Sequence, residues 1–183
     1  IYDINNKTIS NINDKKSPIR DAVISDYLKN KKLHLRATNI KEEAYLDANT
    51  IIIATPTNYD DVNNSFNTEN VDSTIRDILN INKSASIVIK STVPIGYTNK
   101  MRIKYNYKHI FFSPEFLREG NALYDNLYPS RIIIGDKCKE TEEFCKMLLS
   151  TSKKSAKEVP IRYMSSMEAE SVKLFANAYL AMR

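Results

Sequence analysis

The sequence predicts an α/β fold built on a doubly wound, mostly parallel sheet of Rossmann-like type, and three observations carry that expectation. Apolar runs of strand length alternate with stretches of helical period, the habit of βα repeats around a parallel sheet. Some runs are unbroken rather than alternating, as at Ile51, Ile52 and Ile53, which suits strands covered on both faces. Side chains with chemistry gather just after the runs, at the strand ends where open α/β sheets bind ligands.

Taken in order, residues 1–4 read as the end of a strand. Ser17-Pro18 offers a cap followed by proline at a first helical position, and Ile19, Val23, Ile24, Tyr27 and Leu28 recur at helical spacing, so a helix is predicted from there to about Lys31. Residues 33–37 alternate as a short strand, 41–48 form a short helix, and 50–55 a strand. The polar stretch 58–67 reads as a loop, after which Thr68 can cap a helix with Val71, Ile75, Ile78 and Leu79 on one side. A strand at 86–90, a helix from Ile95 to about Tyr105, strands at 109–112 and 131–135, a helix at 139–149 and a strand near 159–164 follow. Ser165 and Glu168 then make an S-x-x-E capping box for a terminal helix whose apolar stripe is Val172, Phe175, Ala176, Tyr179 and Leu180. On that helix Lys173 and Asn177 stand four apart, hence on one face; by spacing alone they also fit a solvated face.

Composition narrows the function classes. The chain has 183 residues with 42% hydrophobic and 27% charged side chains, ordinary for a globular protein, and no apolar run approaches the ~20 residues of a membrane-spanning helix. Two cysteines make no disulfide framework, which points to a reduced, cytoplasmic setting. The net charge of +5 is a mild excess. Its densest basic run, Lys153, Lys154 and Lys157, lacks the interleaved aromatics of a single-strand groove, so no nucleic-acid or membrane partner is expected. His34 and His109 lack companions for a metal site. The chain opens at Ile1 without a leader and reads as a piece of something longer.

The strand ends supply the candidate chemistry: Asp3, then Thr55-Pro56-Thr57, then Ser91-Thr92-Val93-Pro94, then residues 113–120. An acidic residue ending the second strand of a dinucleotide-binding unit accepts hydrogen bonds from ribose hydroxyls; an aspartate at a strand end is also a common turn former.

Five ordered blocks carry a family resemblance: IIIATPTN at 51–58, KSTVPIG at 90–96, FSPEFLREG at 112–120, ALYDNLYPSR at 122–131 and VKLFANAYLAMR at 172–183. Through them nearly the whole chain resembles the UDP-glucose/GDP-mannose dehydrogenase family, and the run 124–129 looks more like its UDP-glucose branch. The resemblance implies oxidation of UDP-glucose to UDP-glucuronate with two NAD⁺ reduced in turn, through a cysteine thiohemiacetal and thioester. It implies that Asp3 holds the adenosine ribose and that Thr57, Thr92 and Glu119 line the NAD site. Glu115, Phe116, Leu117, Arg118 and Glu119 would border the sugar nucleotide, and Lys173 and Asn177 would hold the reacting oxygen at C6.

A cation with an amide donor one helical turn away stabilises an alkoxide or tetrahedral oxyanion. Glu119, Glu115 or a water on Thr92 are the candidate bases, unranked. Two departures stand out. Thr8 occupies the position where the family usually has a basic residue, with Lys7 beside it, and neither Cys138 nor Cys145 matches the family's nucleophile, expected beyond Arg183. Residues 1–164 are accordingly expected to form the NAD domain without its first strand and glycine-rich loop, and 165–183 the start of a central helix pairing two copies of the parent enzyme. The piece alone is expected to be inactive. The alternatives are another nucleotide-sugar 6-dehydrogenase, such as one for GDP-mannose, or a non-catalytic nucleotide-binding protein of the same fold.

Overall fold

A computed structural model describes residues 1–61 and 64–183. In chain order its elements are α1 (Asn6–Asn13), α2 (Ala22–Asn30), α3 (Lys41–Tyr45), β1 (Thr50–Ile53), β2 (Tyr59–Asp60), β3 (Ser65–Phe66), α4 (Glu69–Ile81), β4 (Ser86–Ile89), α5 (Tyr97–Tyr105), β5 (Ile110–Phe112), α6 (Ala122–Leu127), β6 (Ile132–Gly135), α7 (Lys139–Thr151), β7 (Ile161–Met164) and α8 (Ser166–Ala181). Strands β1, β4 and β5 pair in that order, all parallel, with Ile51 beside Ile87 and Ile87 beside Ile110. Strands β6 and β7 form a second parallel pair, Ile132 beside Ile161, and the Ser113 hydroxyl donates to the Ile133 carbonyl at 3.0 Å, tying the end of β5 to β6.

Both faces of β4 are covered, which is what winding helices on either side of a sheet means residue by residue. Ile87 and Ile89 pack with Val71, Ile75 and Ile78 of α4 and Met101 of α5. Val88, pointing the other way as strand geometry requires, packs with Ile132, Ile134, Phe144, Cys145 and Val159. Alternate residues of one strand thus feed two cores, so the run has no polar face to show.

The structure departs from expectation at the less apolar segments. The helix after Ser17-Pro18 starts only at Ala22, because buried Asp21 is its cap and accepts the Val23 and Ile24 N–H groups at 2.9 and 3.0 Å. The strands expected at 1–4 and 33–37 shrink to one parallel bridge, Tyr2 with Thr38. Helices α1 and α6 arise where none was expected, α1 capped by Asn5. The stretch expected as a loop at 58–67 carries the β2–β3 hairpin, Tyr59 and Phe66 stacking edge to face at 5.4 Å; Val62 and Asn63 lie outside the described residues. Among the described residues no helix is long and apolar enough to cross a membrane.

Helix α8 crosses the carboxyl ends of β5 and β6, and three devices fix it there. Its capping box forms as spaced, the Glu168 carboxylate accepting the Ser165 N–H at 2.7 Å and the Ser165 hydroxyl accepting the Glu168 N–H at 3.3 Å. Glu170, wholly buried, accepts the Gly96 N–H at 2.6 Å, the Thr98 N–H at 2.8 Å and the Thr98 hydroxyl at 2.6 Å. A buried carboxylate is tolerated there because it meets the unpaired N–H groups and positive dipole end of α5. Close approach is allowed by Gly135, where a Cβ would meet Ser166 Oγ at 2.9 Å and the Phe112 carbonyl at 3.0 Å. Gly135→Ala is therefore expected to cost about 1–3 kcal/mol, a fall of several degrees in Tm checked by thermal melting; an unchanged Tm would mean that α8 does not rest on β6 as described.

Candidate active site

The loop after β5, the start of β6 and the inward face of α8 enclose a cavity of about 700 Å³. Lys173 reaches into it from α8. Only 5% exposed, its ammonium donates to the Glu115 carbonyl and to Glu115 Oε1, each at 2.7 Å. Asn177, one turn along, also lines the cavity, and its amide has no hydrogen-bond partner among the described residues. Phe116 gives the wall an apolar panel, with the Arg131 guanidinium 3.8 Å from its ring centroid and the Lys173 ammonium at 5.7 Å. Leu117 donates its N–H to Glu115 Oε2 at 2.7 Å, and Arg118 pairs with Asp125 at 2.6 Å. Sequence reasoning named the Lys173/Asn177 pair and the run from Glu115 to Glu119; the fold brings the pair and Glu115, Phe116, Leu117 and Arg118 to one cavity.

The electrostatics are lopsided. Lys90, Arg118, Arg131, Lys154 and Lys173 line the cavity against two carboxylates, Glu115 and Asp125, so the lining favours anionic ligands. Burial pushes the Glu115 carboxyl up, but the Lys173 hydrogen bond, the Leu117 N–H and the charges of Lys173 and Lys90 outweigh it and hold it below its ordinary value. Hydrogen bonds from Arg118 likewise hold Asp125 low. Burial pushes the Lys90 ammonium below its ordinary range, with Glu115 opposing and Lys173 reinforcing that shift.

The candidate cofactor residues occupy a neighbouring edge. The Lys90 N–H donates to the Ile53 carbonyl at 2.8 Å and the Ser91 hydroxyl to the Thr55 carbonyl at 2.7 Å, so the strands carrying Thr57 and Thr92 end side by side. Asp3 is half-buried beside the Tyr2 bridge; its Oδ1 accepts the Asn5 N–H at 2.7 Å, and its Oδ2 has no partner among the described residues. Glu119 is exposed, and neither it nor Asp3, Thr57 or Thr92 lines the cavity. One observation tests whether a dinucleotide suits this edge: the buried Thr55 hydroxyl has no hydrogen-bond partner among the described residues. An orphaned hydroxyl, free threonine hydroxyls and a free carboxylate oxygen suit the ribose and carboxamide groups of NAD.

Lys90, Arg131 and Glu170 were given no role in the sequence reading. Lys90 was signalled by its place directly after a strand, and Glu170 by standing three before Lys173 on the same helical face. The cysteines stay clear of the cavity: Cys138 is the N-cap residue of α7 and Cys145 is buried in the second core. The carboxylate that holds Lys173 is testable by pH. Folded Glu115 lies below its ordinary 4.5, so its stabilisation is complete above that value and is lost as pH falls through the lower folded one. With 33% of the side chain exposed, Glu115→Gln is expected to lose roughly 1 kcal/mol near neutrality, a gap that closes below about pH 4. Melts of both proteins across that range check it; a gap persisting in acid would refute the pairing.

Comparison with known proteins agrees with this geometry. The family description "UDP-glucose/GDP-mannose dehydrogenase family, NAD binding domain" matches residues 1–153. The chain is 50% identical over its whole length to a UDP-glucose 6-dehydrogenase of Campylobacter jejuni, covering 46% of that protein, and 45% identical to one of Streptococcus pneumoniae, covering 48%; it spans about half the length of these curated relatives. Among solved structures it superposes on a GDP-mannose dehydrogenase ternary complex from Pseudomonas aeruginosa with a TM-score of 0.85 at 23% identity, over 99% of this chain and 44% of that one. A UDP-glucose dehydrogenase from Pyrobaculum islandicum gives a TM-score of 0.82 at 26% identity, over 98% of this chain and 43% of that one. With the family match running through both the candidate cofactor edge and the loop that holds Lys173, the chain belongs to the UDP-glucose/GDP-mannose dehydrogenase family.

Proposed function

We propose that the protein of which this chain is part oxidises UDP-glucose to UDP-glucuronate, with NAD⁺ as the oxidant. The observation that carries the reading is the buried Lys173 ammonium, set beside a free Asn177 amide in a cation-rich cavity. A flexible lysine costs roughly 1.5–2 kcal/mol of side-chain entropy to immobilise; here it is fixed, with two donors spent on Glu115 and the third left for a ligand oxygen. Asn177 supplies a neutral donor to the same oxygen. Together they stabilise the negative charge that builds on the C6 oxygen as its carbon is oxidised.

Asp3 would hold the adenosine ribose, and Thr57, Thr92 and Glu119 the rest of the cofactor. NAD⁺, when bound, supplies the hydride acceptor. Phe116, Leu117 and Arg118 would border the sugar nucleotide. Glu115 carries Lys173 on its carboxylate and is held in its basic form, which favours it as the residue that orients the amine rather than as a strong base. A hydrolytic base would then be Glu119 or a water on Thr92. Covalent capture of the aldehyde would use a cysteine other than Cys138 and Cys145, neither of which lines the cavity. The same reading pairs two copies through α8, where Phe175 is exposed outside the cavity.

In the complete gene product, Lys173→Ala is expected to lower kcat by about 10²–10³-fold, with a much smaller change in the KM for UDP-glucose. NADH formation checks it. Activity confined to GDP-mannose would move the assignment to that substrate, and a Lys173→Ala protein as active as the parent would remove the mechanism.

A further inference from the structure

Two lysines and one carboxylate meet where β4 and β5 end beneath α8, and only one of the lysines is neutralised. Glu115 takes the Lys173 ammonium at 2.7 Å. Nearby, Arg118 is matched by Asp125 at 2.6 Å. Lys90 lines the same cavity, its backbone pinned by the bond from its N–H to the Ile53 carbonyl at 2.8 Å. Among the described residues its ammonium has neither a hydrogen-bond partner nor an ion pair. This end of the cavity therefore carries one uncompensated positive charge.

A partly buried cation without a partner is costly to keep, and the cost is relieved when an anion arrives beside it. On the function proposed above, on which this inference rests, the group that changes charge is known by its chemistry: a neutral hydroxymethyl becomes a carboxylate. We propose that Lys90 is a specificity-determining residue for the oxidised sugar, its unpaired ammonium being the charge that the new carboxylate meets in the cavity. Lys173 cannot fill that role alone, since Glu115 neutralises it, and Arg131 is stacked on Phe116. The burial that presses Lys90 towards its neutral form is the same burial that leaves its field unscreened for a bound anion.

UDP-glucose and UDP-glucuronate share every group except the one at C6, so the ratio of their affinities isolates this charge. Calorimetric titration of the complete gene product, wild type against Lys90→Met and Lys90→Arg, tests the proposal. In Lys90→Met the Kd for UDP-glucuronate is expected to rise about 10- to 100-fold, the loss of one charge-assisted hydrogen bond, while the Kd for UDP-glucose moves less than about threefold. Lys90→Arg is expected to restore most of the preference, because it keeps the charge. Equal weakening of both ligands would show a merely structural lysine and overturn the proposal, as would an unchanged ratio. A wild-type protein that binds neither sugar nucleotide would overturn the proposed function, and this inference with it.

Discussion

The rest of the site depends on one buried carboxylate. Glu170 is fully enclosed, and its partners are the amino end of α5 rather than a cation: two backbone N–H groups and the Thr98 hydroxyl. Residues 170, 173 and 177 lie on one face of α8 at spacings of three and seven, so anchoring Glu170 sets the rotation of the helix and thereby aims Lys173 and Asn177. The same bonds hold the Gly96 end of the connection that begins at Thr92. One carboxylate thus fixes the loop that begins at Thr92 and the helix that carries Lys173 against each other. Gly135 completes the constraint by letting Ser166 approach β6 to a distance no other residue allows.

Within that frame the cavity's charges divide by purpose. Arg118 is matched to Asp125 and Lys173 to Glu115, pairs that hold side chains still. A paired lysine is a weak point charge but a precise donor, since its remaining N–H points where the carboxylate leaves room. Lys90 and Arg131 are the opposite, cations with no ion-paired carboxylate among the described residues, whose charge is turned on the cavity they line. Leaving the half-buried Lys90 unpaired costs stability, and functional sites are where proteins retain that kind of cost.

The fold was legible in the sequence wherever burial on both faces left a signature. The β4 run and the Ser165/Glu168 box stand where their residue types put them, whereas the Ile51 to Ile53 run forms β1 with one face open instead of both covered, Ile52 being 44% exposed. Helix α1 was not legible because it contributes one buried residue, Ile12, from a polar segment, and α6 buries none. The alternation at 33–37 promised a strand, but pairing is a property of two chains side by side, and there only Thr38 finds a partner, Tyr2. The site divides the same way. Lys173 and Asn177 were visible as neighbours on one helix, whereas the Lys173–Glu115 bond spans 58 residues of chain and the Glu170–Gly96 bond spans 74. No local pattern encodes contacts of that range, so Lys90 and Glu170 gained their meaning only from the fold.

Helix α8 also shows why the inward and outward faces must be considered together. Its inward face is spent on polar anchors, Glu170 and Lys173, and it has only Ala169 as a fully buried apolar residue. Such a face supplies direction rather than hydrophobic stabilisation, since the ~25 cal/mol per Å² of apolar burial has little surface to act on. The outward face bears Phe175 instead, 70% exposed and outside the cavity lining. A helix aimed by hydrogen bonds on one side and bearing an exposed Phe175 on the other gains its remaining rigidity when that outer face is covered. The precision with which Lys173 is aimed into the cavity is then linked, through one helix, to whatever packs on Phe175.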